Sequence, residues 1–399
     1  MPIAALIALL AGVLALPAIS LLLLTLAAGR RPPATGSQGV STSTVSPRVA
    51  VLVPAHNESA NVLPTIACLL PQMRERDRLV VVADNCQDDT AALARGAGAL
   101  VIERQDAVLR GKGYALAYGV DYLRADPPDV VMVVDADCVV SPGAVARIAG
   151  ESAATGCPVQ MLNLMHAHAG AGVRLRILEF AMIVKNLVRP LGSFRLGGAC
   201  HLMGTGMALP WSLMSTAKLA TGHIAEDMKL GVELAMAGHP ARFCLDAEIS
   251  SAFPDDSQTA RTQKSRWEHG HLATLTEELP RMLGMAMRSG QRALWILALD
   301  LLIPPLALYV LVMGLALVLA GAAAGLIGPM FGPAAWVLAV AAGALVMAVG
   351  LAWWRYGRHL LSAGELLATP LYAIWKLPVY LAYALRRRSG WVRTRRKSE

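Results

Sequence analysis

The chain has 399 residues, 55% of them hydrophobic, with a mean hydropathy of +0.49 and a formal net charge of +8. This is too apolar for an ordinary soluble protein, so the expectation is a membrane protein with one sizeable core. The basic excess lies beside apolar segments, at Arg30-Arg31 and from Arg386 through Lys397, which favours anionic membrane lipid over nucleic acid; the six cysteines form no CxxC pair, which suits free thiols in a reducing compartment and signals no zinc site.

Residues 3–28 form an uncharged apolar run, about 39 Å long as a helix, against a hydrocarbon core of about 30 Å. Arginines follow this run and do not precede it, so residues 1–29 read as a transmembrane anchor and not as a cleaved signal peptide. That places Arg30 on the cytoplasmic side of a bacterial-type inner membrane. Residues 30–47 are rich in Pro, Gly, Ser and Thr and read as a linker.

From Arg48 the pattern changes. Short apolar runs at Val49 to Val53, Leu79 to Val82, Ala99 to Ile102 and Val130 to Val134 alternate with helical stretches near 59–70, 88–97 and 112–124. The expected fold class is therefore α/β, a doubly wound and mostly parallel sheet. Such sheets bind ligands beyond the carboxyl ends of their strands, where VPAHNE, ADNCQDD and DADC all fall.

Further along, residues 172–196 mix Arg174, Arg176, Lys185, Arg189 and Arg195 with apolar side chains, as an interfacial helix would. Ile303 to Leu326 and Ala334 to Trp354, separated by GLIGPMFGP, predict a membrane hairpin within 291–354. Leu360 to Leu385 is interrupted by Glu365, Pro370, Lys376 and Pro378 and has basic flanks, so 355–399 reads as an interfacial helix and a basic cytoplasmic tail. A cytoplasmic domain over 48–290 remains. Three spans are too few for a pore or transporter.

Within VVMVVDADCVV, Asp135 and Asp137 stand at i and i+2, which in extended backbone points both carboxylates to one side. Such a pair suits Mg²⁺ or Mn²⁺, which takes one or two carboxylates plus substrate phosphates, although a turn ending the strand explains the residues too. Asn57 and Glu58 suit a helix cap as well as a ligand contact, Asp88 and Asp89 suit a helix N-terminus, and Lys112 suits an exposed helix surface. GKGYAL lacks a third glycine and follows no strand, which excludes a dinucleotide fingerprint; no GxxxxGK[ST] supports an ATPase. Glu226 and Asp227 open an amphipathic helical stretch, where the dipole favours acids and where a carboxylate can also serve as a base. His269-Gly270-His271 lacks further ligands for a metal and reads as surface or acceptor-site histidines.

Taken in order, VAVLVPAHNE, VVVADNCQDDT, RGKGYALAYG, VVMVVDADC, GTGMALP, HIAEDMKLG and QKSRW resemble the membrane-bound inverting glycosyltransferases of family 2. That group includes cellulose and hyaluronan synthases and ceramide glucosyltransferase, and the resemblance covers residues 48–270. It implies a GT-A fold and sugar transfer from a UDP-sugar to a membrane-associated acceptor, with Mg²⁺ or Mn²⁺. By the same resemblance Pro54, Asn57, Glu58 and Asp84 contact the uridine. Lys112, Asp135, Gln263 and Arg266 lie at the donor, and Asp135 and Asp137 hold the metal. Asp227 is the base with Glu226 in support, and Gly204, Thr205, Gly206 and Trp267 face the acceptor. Ala83 departs from the pattern, since many relatives carry a further Asp there, so the acid at this strand end rests on Asp84 alone. The implied product is an exopolysaccharide or lipid-linked glycan, with a glycolipid on a sphingolipid-like or other membrane lipid as the alternative. A catalytically silent scaffold would show gaps among these acids, and none is missing.

Overall fold

The computed structural model describes residues 2–29, 46–220, 225–253 and 257–371, with side chains described from Ala4 in the first stretch and from Glu268 in the last. After α1 (Pro2–Ala28) the chain runs β1 (Val49–Ala55), α2 (Val62–Leu69), β2 (Arg78–Asp84), α3 (Thr90–Gly96), β3 (Leu100–Arg104), α4 (Lys112–Leu123) and β4 (Val130–Val133). The four expected strands and three expected helices are therefore present. The Val and Leu runs of β1, β2 and β4 are buried because helices cover both faces of the sheet, whereas β3 at the edge is only partly covered. Alternate residues divide between two cores: Leu52, Val80, Val82 and Val131 pack with Leu116 and Val120 of α4, and Val51, Val53, Val81 and Met132 pack with Ile66 and Leu69 of α2. Full burial of each such side chain is worth roughly 1.5–3 kcal/mol.

The second half follows with β5 (Val139–Val140), α5 (Ala144–Thr155), β6 (Val159–His166), α6 (Val173–Ile183), a π-helical turn (Val184–Val188), α7 (Arg189–Gly197), β7 (Met207–Pro210), α8 (Trp211–Met214), α9 (Glu226–Met236) and β8 (Arg242–Ala252). The sheet has eight strands in the order β3-β2-β1-β4-β7-β6-β8-β5. The β3-β2-β1-β4 half is parallel, whereas β7 runs antiparallel to β4 and β6. Pro54 is tolerated in an internal strand because β4 pairs with β1 only as far as Leu52, so the end where proline removes a donor is open on that side.

The chain then continues through α10 (Ser257–Ser289), α11 (Arg292–Leu301), α12 (Leu306–Leu326), α13 (Gly332–Ala352) and α14 (Ala363–Leu367). Among the described residues, three segments are long and apolar enough to cross a membrane: Ala4–Ala28, Leu306–Leu326 and Pro329–Gly357. They match the expected anchor and hairpin. Pro17 interrupts α1, and the Tyr309 hydroxyl of α12 inserts at that point, accepting from Ala18 N–H at 3.0 Å and donating to the Leu14 carbonyl at 2.7 Å. A side chain from the neighbouring helix thus satisfies backbone groups that hydrocarbon would leave bare. Gly192 of α7 meets α1 so closely that a Cβ there would fall 2.1 Å from the Leu24 carbonyl oxygen. α1 is therefore packed directly against α7 of the sheet domain.

Residues 172–196 are helical as expected, but the whole stretch does not present its cations at an interface. Arg189 is buried against Asp300 of α11, with Nε 2.7 Å from Oδ1, because a distant acid offers it a partner that the local sequence does not reveal. Arg176 reaches the C-terminal side instead, donating to the Leu360 carbonyl at 2.9 Å and to Glu365 at 3.3 Å. Of the expected helix over 360–385, α14 carries a Ser362–Glu365 capping box. Residues 372–399 lie outside the described residues.

Candidate active site

Two asparagines in left-handed backbone conformation tie the strand ends together, Asn57 at φ +53° joining β1 to β2 and Asn85 at φ +52° joining β2 to the loop after β3. Asn57 Oδ1 accepts from Gln87 N–H, and Asn85 Oδ1 accepts from Asp106 N–H, each at 2.8 Å. Neither Asn57 nor Glu58 caps α2, which begins at Val62; the Glu58 N–H donates to Thr90 Oγ1 at 2.8 Å and the Glu58 carboxylate accepts from Asn61 at 2.9 Å. Asp88 does take the helix-end role, accepting from Ser59 N–H and Thr90 N–H at 3.1 Å.

Asp84 ends β2 and is buried. Its Oδ1 accepts from Arg104 Nη1 at 2.7 Å and Asn85 Nδ2 at 3.0 Å, leaving Oδ2 outside both bonds. Beside it lies a cleft of about 290 Å³ lined by His56, Asn85, Gln87, Gln105, Asp106 and Arg110, at the small end of ligand-binding cavities. Sequence reasoning missed Arg104 and this loop, although the place of Arg104 at the carboxyl end of β3, with the loop directly after it, was a signal.

Asp135 and Asp137 do not lie on extended backbone. β4 ends at Val133, and Asp135 opens a turn closed by Cys138 N–H bonding to the Asp135 carbonyl at 3.2 Å. The turn still places the two acids within each other's field. Burial pushes the Asp137 carboxyl up, and the Asp135 charge adds to the shift. Lys112 opens α4 and is no exposed helix lysine: its Nζ pairs with the Asp135 carboxylate and donates to the Gly204 carbonyl at 2.8 Å. Burial opposes its charge, but Asp135, Glu226 and Asp227 outweigh burial and raise its pKa.

Gly204, Thr205 and Gly206 form the bend that joins these groups. Thr205 Oγ1 accepts from Asp135 N–H at 3.0 Å. Gly206 has a packing reason as well, since with φ +63° a Cβ would fall 2.6 Å from Ile249. Fully buried Gln160 of β6 grips the bend, accepting from Met203 N–H at 2.8 Å and donating to the carbonyls of Thr205 at 2.8 Å and Gly206 at 3.3 Å. Nothing in its short apolar strand marked this glutamine as a positioning residue.

Glu226 and Asp227 open α9. Burial raises both carboxyls; Glu226 is pushed up to about 7 with help from the Asp227 charge, while Lys112 and Lys185 pull Asp227 back towards ionisation. Gly204 stands between Lys112 and Asp227: at φ +83°, its Cβ would lie 2.9 Å from Asp227 Oδ2 and 3.4 Å from Lys112 Nζ. Gly204→Ala is therefore expected to fold with a melting temperature lowered by the strain of alanine at positive φ, and to lose turnover by about 10²-fold, the cost of a misplacement of about 1 Å, as read by kcat well below the melting transition. Gln263, Arg266 and Trp267 fall on α10, and their side chains lie outside the described residues. His271 is buried and is no surface residue.

A family model described as glycosyltransferase like family 2 matches residues 47–270, more than half of the chain. No curated protein matches. Among solved structures, a mannosyltransferase from Pyrobaculum calidifontis in complex with GDP-Man and Mn²⁺ is 19% identical over 88% of this chain and 99% of its own, with a TM-score of 0.53, a likeness of fold. Glucosyl-3-phosphoglycerate synthase from Mycobacterium tuberculosis, in complex with Mn²⁺, UDP and phosphoglyceric acid, is 19% identical over 61% of this chain and 84% of its own, with a TM-score of 0.39. The matched span runs from β1 into α10 and takes in every acid of the site, and on it the chain belongs to glycosyltransferase family 2 and is a glycosyltransferase of GT-A fold.

Proposed function

We propose that this enzyme transfers a sugar, with inversion, from a UDP-sugar to a membrane-associated acceptor at the cytoplasmic face. The observation that carries the reading is the junction at Gly204, where Lys112, paired with Asp135, and the buried Asp227 approach one backbone turn. The uridine lies along the ends of β1 and β2, against Pro54, Asn57, Glu58 and Asp84. Lys112 stands at the diphosphate, with Gln263 and Arg266 contributing from α10 and Trp267 facing the acceptor. Asp227 takes the proton of the attacking hydroxyl, and Glu226 supports it.

Asp135 and Asp137 fit a divalent cation: two carboxyls in one field, with Asp137 destabilised by burial and by its neighbour, form a donor set that a cation would relieve. When bound, Mg²⁺ or Mn²⁺ would neutralise charge on the departing diphosphate. The three long apolar helices, of which α1 packs against α7 of the domain, support an acceptor drawn from the membrane, in exopolysaccharide or lipid-linked glycan synthesis.

The pH profile follows from the same charges. Asp227 acts as carboxylate, and Lys185 favours that form. Lys185→Met is therefore expected to move the acidic limb of kcat to higher pH, because the cation that favours the Asp227 carboxylate is gone. The function itself is tested by incubating the purified full-length protein with radiolabelled UDP-sugars or GDP-sugars and native lipid extract, then partitioning the products. Label entering the organic phase from a UDP-sugar supports the reading, whereas label from a GDP-sugar alone, or only in water-soluble product, contradicts it.

A further inference from the structure

The turn that carries Asp135 and Asp137 is held by side chains to which the proposed mechanism gives no part. Thr205 reaches its first residue, where Oγ1 accepts from the Asp135 N–H at 3.0 Å. Thr65 of α2 reaches the second, donating to the Ala136 carbonyl at 2.9 Å. Cys138 closes the turn with its backbone N–H, and its thiol donates to Asp137 Oδ1 at 3.6 Å.

Thr205 and Cys138 also meet each other. The Thr205 oxygen accepts from Asp135, so the hydroxyl keeps its own hydrogen for Cys138 Sγ, at 3.7 Å. The donors therefore run in one direction, from the Asp135 N–H to the Thr205 oxygen, from the Thr205 O–H to the thiol, and from the S–H to Asp137. A single chain of hydrogen bonds begins on the backbone of one acid and ends on the carboxylate of the other. Both linking residues are buried, at 5% and 3% exposed, so Thr205, which the family resemblance implied at the acceptor, offers an acceptor almost no surface and turns its hydroxyl to the acids instead. Gln160, donating to the Thr205 carbonyl at 2.8 Å, fixes the far side of the chain to β6. Bonds through sulfur are weak one by one, and what this chain supplies is orientation.

Building on the reading of Asp135 and Asp137 as the acids that hold the cation, we propose that Thr205 and Cys138 are positioning residues for that cation. Their hydrogen-bond chain fixes the two acids relative to each other and commits Asp137 Oδ1 to the thiol. Partners of this kind orient the carboxylates that bind a metal, and the loss of one typically costs about 10–100-fold in metal affinity. A pair of residues that only filled space would affect melting temperature and nucleotide binding alike, with or without metal.

The test is calorimetric titration of the full-length protein with UDP, with and without Mn²⁺, in wild type, Thr205→Val, Thr205→Ser, Cys138→Ala and the double variant Thr205→Val/Cys138→Ala. Thr205→Val and Cys138→Ala are each expected to lose about tenfold or more of the gain in UDP affinity that Mn²⁺ brings, with the metal-free Kd unchanged. Thr205→Ser keeps the hydroxyl and is expected to keep the gain. Because the two links stand in series, the double variant is expected to lose no more than the worse single one. An undiminished gain in Thr205→Val or Cys138→Ala, a loss equal with and without metal, or additive losses in the double variant would overturn the assignment. A wild type that binds UDP with no gain from Mn²⁺ would instead remove the metal reading itself, and this assignment with it.

Discussion

Asp227→Asn is expected to bind nucleotide as the wild type does while losing at least about 10³-fold in kcat, within the range of general base catalysis. The amide is nearly isosteric and cannot take up the proton of an attacking hydroxyl. Its effect on stability runs the other way. Burial raises the Asp227 pKa above its unfolded value, so the stability linked to this group is full below the unfolded pKa and is lost as pH rises through the folded one. At neutral pH the neutral side chain is therefore expected to leave the melting temperature unchanged or higher. Thermal unfolding measured beside kcat separates a lost base from a damaged fold. A variant that turned over normally would end the assignment of Asp227.

Asp137→Asn is expected to lose the part of nucleotide affinity that depends on Mg²⁺ or Mn²⁺, by at least about tenfold in Kd, or 1.4 kcal/mol. In the folded chain Asp137 is buried beside Asp135 with its carboxyl held up. Lys112 pairs with Asp135, which leaves Asp137 as the acid on which a cation depends most. Calorimetric titration with UDP, with and without Mn²⁺, reads the effect: the metal-free Kd should stay constant while the metal-dependent gain disappears. An undiminished gain would move the metal site away from this turn.

The first half of the sheet was legible because its signals are local. The Val-rich runs at VPAHNE, ADNC and DADC are buried on both faces, separated by helical stretches and paired in parallel with one another, so period and punctuation agree. The second half was not, since β5 has two residues and β7 four, and both take their place from partners far away in the chain. The acids were legible as a set but not in their geometry. Asp135 and Asp137 share a field through a turn that strand alternation did not foresee, and Lys112 is defined by contacts with Asp135 and Gly204 that lie 23 and 92 residues away. Gln160, Arg104 and the Arg189–Asp300 pair belong to the same kind. A polar residue in an apolar run does not show whether it faces solvent, a partner or a backbone bend until the sheet is closed.

The most direct measurement of the central claim is nucleoside diphosphate release by the purified full-length protein from UDP-sugars, with and without Mg²⁺ or Mn²⁺, in wild type and Asp227→Asn. Release from a UDP-sugar that needs the metal and disappears in Asp227→Asn is the predicted result. Equal release by the variant, or nucleotide bound but never turned over by the wild type with native lipid present, would contradict it.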